Sequence, residues 1–539
     1  MSAAPFQPQQ FNDLYSSVYA ILDDAKEGLD LVKLYKGSHA ADNPHHVVTD
    51  FGAFFFREQR GLLAYACSQI ASADRYVVED LAAFDRDYTP GTSTRQAFEM
   101  LTSEVRRPGE SADEFLTYLV NREHKLGSYR GGSSGYDDEA RAFAAVHLQS
   151  RGFADSLSIN DVQTFCGGFK GVFYAFCASL LCERDYEELR PLGGRILVPE
   201  GYYQSLRLVP PLLGAELSVT PDLTGEAVAD WLRSTAGRPG RAVYAPIVNN
   251  ANGRVMSRDR ALSIAHAVLS YNRRHPDTPV HVLCDDVYGG SYLVPDLTPQ
   301  PLGAVTGIDL GDRALGRMSD YTVTVITPSK TFAFPTCRVA FAATTNPGLR
   351  KALAHYRTVL SYGRVPQVDE LTGMAAIAFT PPSWIDSWNT RFRNRLVFLA
   401  AEIASINDAL GFEAFQLNQP EGGWYAALNV SPRLFTTTLT SSVDVFSVLL
   451  HYGQGKTDSG IAMLPGELFG YRYRQEDPDA TFVVRGNFAV EFDVLREFTT
   501  RLREMAFGLR GAGGQIERYA IERSRAVADV DSIVRQLRY

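Results

Sequence analysis

Four short stretches of this chain carry residue types that can do chemistry. In VITPSKTFAFPTCRVAF (residues 325–341), Lys330 stands just past a β-branched apolar run, with Thr327 and Ser329 before it and Arg338 eight positions on. In VHVLCDDVYGG, Asp285 is followed three positions later by Tyr288. The run RAVYAPIV ends in Asn249-Asn250-Ala251-Asn252-Gly253, and CGGFKG (166–171) opens the apolar segment VFYAFCASLL. A lone lysine at a strand end is ordinarily a solvated surface charge. It becomes an amine nucleophile when it is desolvated and other specific groups converge on it. The groups available here are a carboxylate, a phenol, an amide, an arginine and a glycine-rich turn. Such a turn at a helix start aims backbone N–H groups and a positive dipole end at an anion.

These residues meet only if the elements before them are strands of one sheet. From about residue 138 to 350, helical segments alternate with short apolar runs, the pattern of a parallel sheet covered by helices. The strand candidates are GRILVPE, RAVYAPIV, VHVLCDD, YTVTVIT and CRVAFAATT, and SRDRALSIAHAVLSYNRRH reads as a helix capped by Ser257. Ligands of an open parallel sheet bind beyond the carboxyl ends of its strands, so Asn250, Asp285 and Lys330 are expected on one rim. The expected fold class is α/β. Its division is a mainly helical N-terminal arm and extension (1–125), a large α/β domain with a mostly parallel sheet (126–365), and a smaller α+β C-terminal domain with a charged helical tail (366–539). Residues 50–125 read mostly as helices, 382–410 as one long helix, and GGWYAALNV and FVVRGNFAV as strands. GLRGAGGQ (508–515) is the nearest thing to a flexible linker.

One cofactor has a use for every group on that rim. The aldehyde of pyridoxal 5'-phosphate needs a lysine amine for a Schiff base, and its pyridine nitrogen needs a carboxylate to stay protonated as an electron sink. Its 3'-oxygen needs hydrogen-bond donors, and its phosphate needs a nest of amides and a cation.

On these residues the chain resembles the fold-type I, class I/II aminotransferase superfamily of pyridoxal-phosphate enzymes. Thr327-Pro328-Ser329-Lys330 with Arg338 is similar to that family's S-x-S-K-x-x-x-x-x-x-x-R, and Asp285 with Tyr288 to its D-x-x-Y. PEGGWYAALNV, SGIAMLPGELFG and FVVRGNFAV resemble three further family segments, in order, and the likeness runs from about 126 to 500. The resemblance implies that Lys330 forms the Schiff base and later moves the Cα proton, and that Asp285 pairs with the pyridine nitrogen. Tyr288 and Asn250 would bond the 3'-oxygen. Thr327, Arg338 and the amides of Gly167, Gly168 and Phe169 would hold the phosphate. Tyr202 would stack on the ring, with Tyr203 as the alternative, and Arg485 would clamp the substrate carboxylate beside Asn250. Tyr129, in LGSYRGGSSGYDDEA, resembles the tyrosine given to the phosphate of a neighbouring subunit, which implies a homodimer with a shared active site. Asp286 is better suited to a helix cap or a solvated position. Two features depart from the family pattern: the N-P-x-G turn lacks its proline, and Phe169-Lys170 stand where hydroxyl residues are usual, so Lys170 either supplies a phosphate cation or is solvated.

Composition narrows the partners. A chain of 539 residues with 45% hydrophobic and 21% charged residues can bury a large core. A formal charge of -9 and no basic run argue against nucleic acid, which is bound by clustered Lys and Arg. The six cysteines show neither C-x-x-C nor metal-ligand spacing, and no metal is expected. No stretch nears the ~18 apolar residues of a membrane span, and a reducing cytoplasm is the expected location. The expected activity is that of a transferase working on an amino acid through an external aldimine. An aminotransferase releasing a 2-oxo acid in specialised metabolism is the first reading. Elimination, replacement or carbon–carbon bond formation on an amino acid such as S-adenosylmethionine is the second.

Overall fold

The computed structural model describes residues 14–34, 137–153, 157–184, 189–361 apart from 296, 298, 333, 334 and 336, 382–453 and 459–528, together with single positions at 109, 111, 365, 366, 369, 370, 373, 377 and 534. The helices expected over 50–125, and Tyr129, lie outside the described residues.

A seven-stranded sheet forms the centre. Its strands lie in the order Val162–Cys166, Val339–Ala343, Thr322–Ile326, His281–Asp285, Arg241–Pro246, Arg195–Pro199 and Glu216–Thr220. Val339–Ala343 is antiparallel to both neighbours and every other pairing is parallel. The inner strands TVTVI, VAFAA and RAVYAP are buried at every position. Continuous apolar runs of this kind belong to a sheet covered on both faces. Helices Phe169–Leu181 and Pro347–Ser361 cover one face, and Gly225–Ser234 and Arg258–Arg274 cover the other. Ser257 caps the last of these as expected, its side-chain oxygen accepting from the Arg260 N–H. Of the sheet's strands, Val162–Cys166 and Glu216–Thr220 were not among those read from the sequence.

The helix Pro382–Leu410 runs over the expected span and leads to a second, four-stranded antiparallel sheet. Its strands are ordered Phe415–Leu417, Tyr425–Val430, Phe482–Asn487 and Leu464–Pro465. The glycine-rich segment at 508–515 is not a loose linker. The helix Phe492–Gly511 runs into it, and Gly513 and Gly514, at φ 54° and 79°, turn the chain into the helix Gln515–Val527. That helix is tied down by Glu517, whose fully buried carboxylate accepts from the Thr436 N–H.

The N-terminal helix Leu14–Gly28 reaches the same neighbourhood by a long-range pairing. The strand after it, Asp30–Lys33, lies parallel to Ser459–Ala462, and the Leu34 carbonyl accepts from the Asn487 N–H. Leu14, Val18, Ile21, Leu22 and Ala25 form its buried stripe at helical spacing. Tyr15 and Tyr19, four positions apart, stand off that stripe as a ring pair with centroids 4.6 Å apart.

Candidate active site

A cavity of about 360 Å³ opens beyond the carboxyl ends of the central strands. Asn250, Asp285, Tyr288, Thr327, Lys330, Arg338, Phe169 and Arg485 all line it, although they come from segments more than three hundred positions apart. Adjacent parallel strands explain the convergence, because Arg241–Pro246, His281–Asp285 and Thr322–Ile326 are neighbours that end at one level.

Lys330 is almost enclosed. Its Nζ lies 3.5 Å from the Tyr425 hydroxyl and 5.2 Å from the centre of the Trp424 ring. Burial lowers its pKa to about 8; the Tyr203 phenol opposes this, and the Arg485 and Arg338 charges reinforce it. A lysine in this state is substantially neutral amine in mildly alkaline water, which an exposed lysine is not.

Asp285 is buried on the adjacent strand end. Its Oδ2 accepts from the Tyr244 hydroxyl at 2.7 Å and its Oδ1 from the Val287 N–H at 3.2 Å. Burial raises its pKa to about 7 against the pull of those two donors. Among the described residues it has no ion-pair partner. Asp286 differs at that point: it is buried too, but Arg151 clamps both its oxygens at 2.8 and 2.9 Å. This overturns the expectation of a capping or solvated Asp286. The chain alternates at the strand end, so the second carboxylate points into packed protein and requires a bidentate partner there.

The turn before the helix Phe169–Leu181 holds Gly167 and Gly168 at φ 83° and 65°. The Arg338 guanidinium donates to the Gly167 carbonyl at 2.9 Å, and a Cβ on Gly168 would come within 3.3 Å of it. The Gly168 N–H does not point at the cavity as expected: it donates to the Arg338 carbonyl, prolonging the pairing of the strands before and after. Phe169 and Lys170, at the first turn of the helix, line the cavity. Their amides are therefore the dipole-end donors on that side.

Tyr202, expected against the ring, is fully buried in the apolar cluster beneath the sheet and does not line the cavity. The neighbouring Tyr203 does, with Phe169 edge-on to its ring at 6.1 Å. In extended chain, adjacent side chains point opposite ways, so only one of the two can face the site.

Arg485 is 1% exposed, sandwiched between the Tyr425 ring at 3.9 Å and the Phe469 ring at 4.4 Å. Its Nη1 donates to Asn250 Oδ1 at 2.7 Å, which leaves the NH₂ end of Asn250 as the donor for a ligand. The turn bearing Asn250 keeps its shape without proline. Asn249 Oδ1 accepts from the Ala251 N–H, and Gly253, at φ 67°, has no room for a Cβ beside Pro420.

Residues that the sequence reading passed over complete the wall: Tyr15, Tyr19, Gln204, Tyr244 and Tyr425. Burial raises the Tyr19 pKa while the Arg485 charge works against the rise, so Tyr19 stands on the arginine's side of the cavity. One signal was available for Tyr244, a hydroxyl-bearing ring inside the run Ala242–Val248 that is otherwise apolar.

The donor set suits pyridoxal phosphate. A buried carboxylate without a cation partner among the described residues fits a protonated pyridine nitrogen, and a desolvated lysine fits the aldehyde. The positive-φ glycine turn with its arginine fits the phosphate.

A family model described as aminotransferase class I and II matches residues 189–476, more than half of the chain. No curated protein matches it. Among solved structures, N-succinyldiaminopimelate aminotransferase from Mycobacterium tuberculosis is similar at 20% identity and a TM-score of 0.53, covering 72% of this chain and 89% of that one. A double mutant of Thermus thermophilus aspartate aminotransferase is similar at 16% identity and a TM-score of 0.56, covering 93% and 97%. The aspartate aminotransferase from Rhizobium meliloti is similar at 16% and 0.54, covering 72% and 88%. At these identities the likenesses speak to the fold.

Proposed function

The chain belongs to the aminotransferase class I and II family and is a pyridoxal-phosphate-dependent transferase, and from that premise we propose that it is an aminotransferase that converts an amino acid to a 2-oxo acid. The observation that carries this reading is the sharing of one cavity by Lys330, whose burial lowers its pKa to about 8, and Arg485, which is buried against the Tyr425 ring that also neighbours the lysine.

Pyridoxal phosphate, when bound, supplies an aldehyde that condenses with amines and a ring that takes up the electron pair left by a broken Cα bond. Lys330 would hold it through its amine and, as a free amine, would be placed to move the proton at Cα as a general base. Arg485 clamps the substrate carboxylate with its planar fork, which Asn250 and the Tyr425 and Phe469 rings hold in place. That anchoring fixes which Cα bond is presented to the lysine. Asp285 would keep a proton on the ring nitrogen, and Tyr288 and the Asn250 amide would donate to the 3'-oxygen. Thr327, Arg338, Lys170 and the amides of Phe169 and Lys170 would hold the phosphate. Tyr203 would face the ring. Tyr15 and Tyr19 close the substrate side and keep water off the lysine. We assign the protein to a homodimer in specialised metabolism, with Tyr129 reaching the partner's phosphate.

The test is a half-reaction. Purified protein loaded with cofactor is mixed with a panel of single amino acids, and the visible absorbance is followed. Conversion to the pyridoxamine form, with release of one equivalent of 2-oxo acid, is expected for the true donor. Release of ammonia or a side-chain fragment, with the cofactor unchanged, would refute transamination and favour elimination, replacement or bond formation.

A further inference from the structure

We propose that Tyr244 is a positioning residue that acts through Asp285, holding that carboxylate ionised and aimed at the cofactor's ring nitrogen. The proposal rests on the reading of Asp285 as the partner of that nitrogen.

The geometry is specific. Tyr244 lies on the strand Arg241–Pro246, where its Cα neighbour across the parallel pairing is Leu283, two positions before Asp285. Its side chain shares the face of Leu283 and Asp285, and the phenol reaches along that face to Asp285 Oδ2 at 2.7 Å. The ring is 1% exposed, with Phe169 edge-on to it at 6.2 Å. A Phe at this position would satisfy that packing equally well. The hydroxyl is therefore the part that packing does not explain, and its partner is a carboxylate facing the cavity.

The charge environment gives the bond its use. The groups facing Asp285 are Asp286 beside it on the chain, Tyr244 and the Val287 N–H, and Lys330 from the next strand end; Tyr288 and Tyr203 flank the phenol. Asp286 makes ionisation of Asp285 harder, and its own charge is committed to Arg151. Lys330 makes it easier. The hydrogen bonds that the protein itself supplies to the two oxygens are one neutral donor each. Burial holds the Tyr244 phenol well above its ordinary pKa, so it donates throughout the working range. A hydrogen bond to the charged form favours that form, and the same bond fixes the plane in which the free lone pairs point.

The experiment compares wild type, Tyr244→Phe, Asp285→Asn and the double variant, stripped of cofactor, by thermal melting from pH 5 to 9. The lost donor matters more to a carboxylate than to a carboxyl group. Tyr244→Phe is therefore expected to lower the melting temperature progressively more as pH rises through the Asp285 titration, and to show no such pH dependence in the Asp285→Asn background. A pH-independent loss, identical in both backgrounds, would mean packing alone and overturn the proposal. In the loaded enzyme, the acid limb of the kcat/KM profile should move up by about one pH unit, a tenfold change in proton concentration. An unmoved limb also overturns it. Should Tyr244→Phe not fold, Tyr244→Gln and Tyr244→Met replace it, similar in volume and differing in the donor, with the limb displaced only by Met. Failure of wild type to take up pyridoxal phosphate would instead sink the reading beneath the proposal, which the apoprotein melts test separately.

Discussion

Asp285→Asn should stabilise the apoprotein while ruining the enzyme. In the apoprotein, burial raises the Asp285 pKa from 3.8 to about 7. The folded state then binds the proton more tightly than the unfolded chain, so stability falls as pH rises from about 4 to about 7 and stays low above that. The difference between the two pKa values corresponds to ~4 kcal/mol against the folded state once the carboxylate is ionised in both. Asparagine removes the charge with little change of shape. Its carbonyl can accept from the Val287 N–H while its NH₂ donates to the Tyr244 oxygen, so both contacts are kept, the second with donor and acceptor exchanged. In a chain this long the gain should appear as a rise of about 5 °C in melting temperature at pH 8, shrinking to nothing near pH 4. The assay is a melting series on cofactor-free wild type and variant across that range. A gap of constant size at every pH, or a variant less stable than wild type at pH 8, would refute the reasoning. Loaded with cofactor, the same variant should lose turnover by ~100-fold or more, because the fixed negative charge beside the ring nitrogen is gone.

Three further outcomes follow from the site. Lys330→Ala should abolish the covalent link, so borohydride reduction of wild type followed by peptide mapping should place the label on Lys330; a label elsewhere refutes the assignment. Asp286→Asn should leave turnover per folded molecule within a few-fold of wild type but cost about 3 kcal/mol of stability, because Arg151 would be left buried with its fork half-satisfied; denaturant titration checks it, and a turnover loss matching that of Asp285→Asn would reverse the two roles. Tyr129→Phe should weaken cofactor retention several-fold without unfolding the protein, and light scattering should find a dimer at assay concentration; an active, loaded monomer sinks the shared-site proposal.

The strand-end residues that line the cavity were legible in the sequence for a physical reason. A strand buried on both faces is mostly apolar, so the polar residues that follow RAVYAPIV, VHVLC and YTVTVI stand where the strands leave the core. In a parallel sheet those exits lie on one rim, which turns three separate local patterns into one site. The rule fails where side-chain direction decides, since a one-residue step changes the face. It left Tyr202 and Tyr203 as alternatives and misjudged Asp286, whose partner Arg151 lies 135 positions away. It also could not see that the Gly168 amide is taken up by strand pairing rather than by a ligand.

The N-terminal wall was illegible for a different reason. Tyr15 and Tyr19 belong to a helix whose own pattern calls only for an apolar stripe, and nothing local says what lies opposite its other face. Their place at the cavity is set by the pairing of Asp30–Lys33 with Ser459–Ala462, a contact between segments more than four hundred positions apart. Four residue pairs in that short parallel ladder, with the helix's buried stripe, therefore fix the wall that bears the two tyrosines. Gly460 in the partner strand has no room for a Cβ, which would fall 2.2 Å from the Leu450 carbonyl oxygen and 2.6 Å from the Leu31 side chain. A substituent there would push the strand off the backbone of the helix Ser442–His451 and crowd Leu31 in the strand that follows the tyrosine helix. The cavity is thus built by two kinds of order: one wall from neighbouring strands of one sheet, and the other from a helix held by long-range strand pairing and by the burial of its apolar stripe.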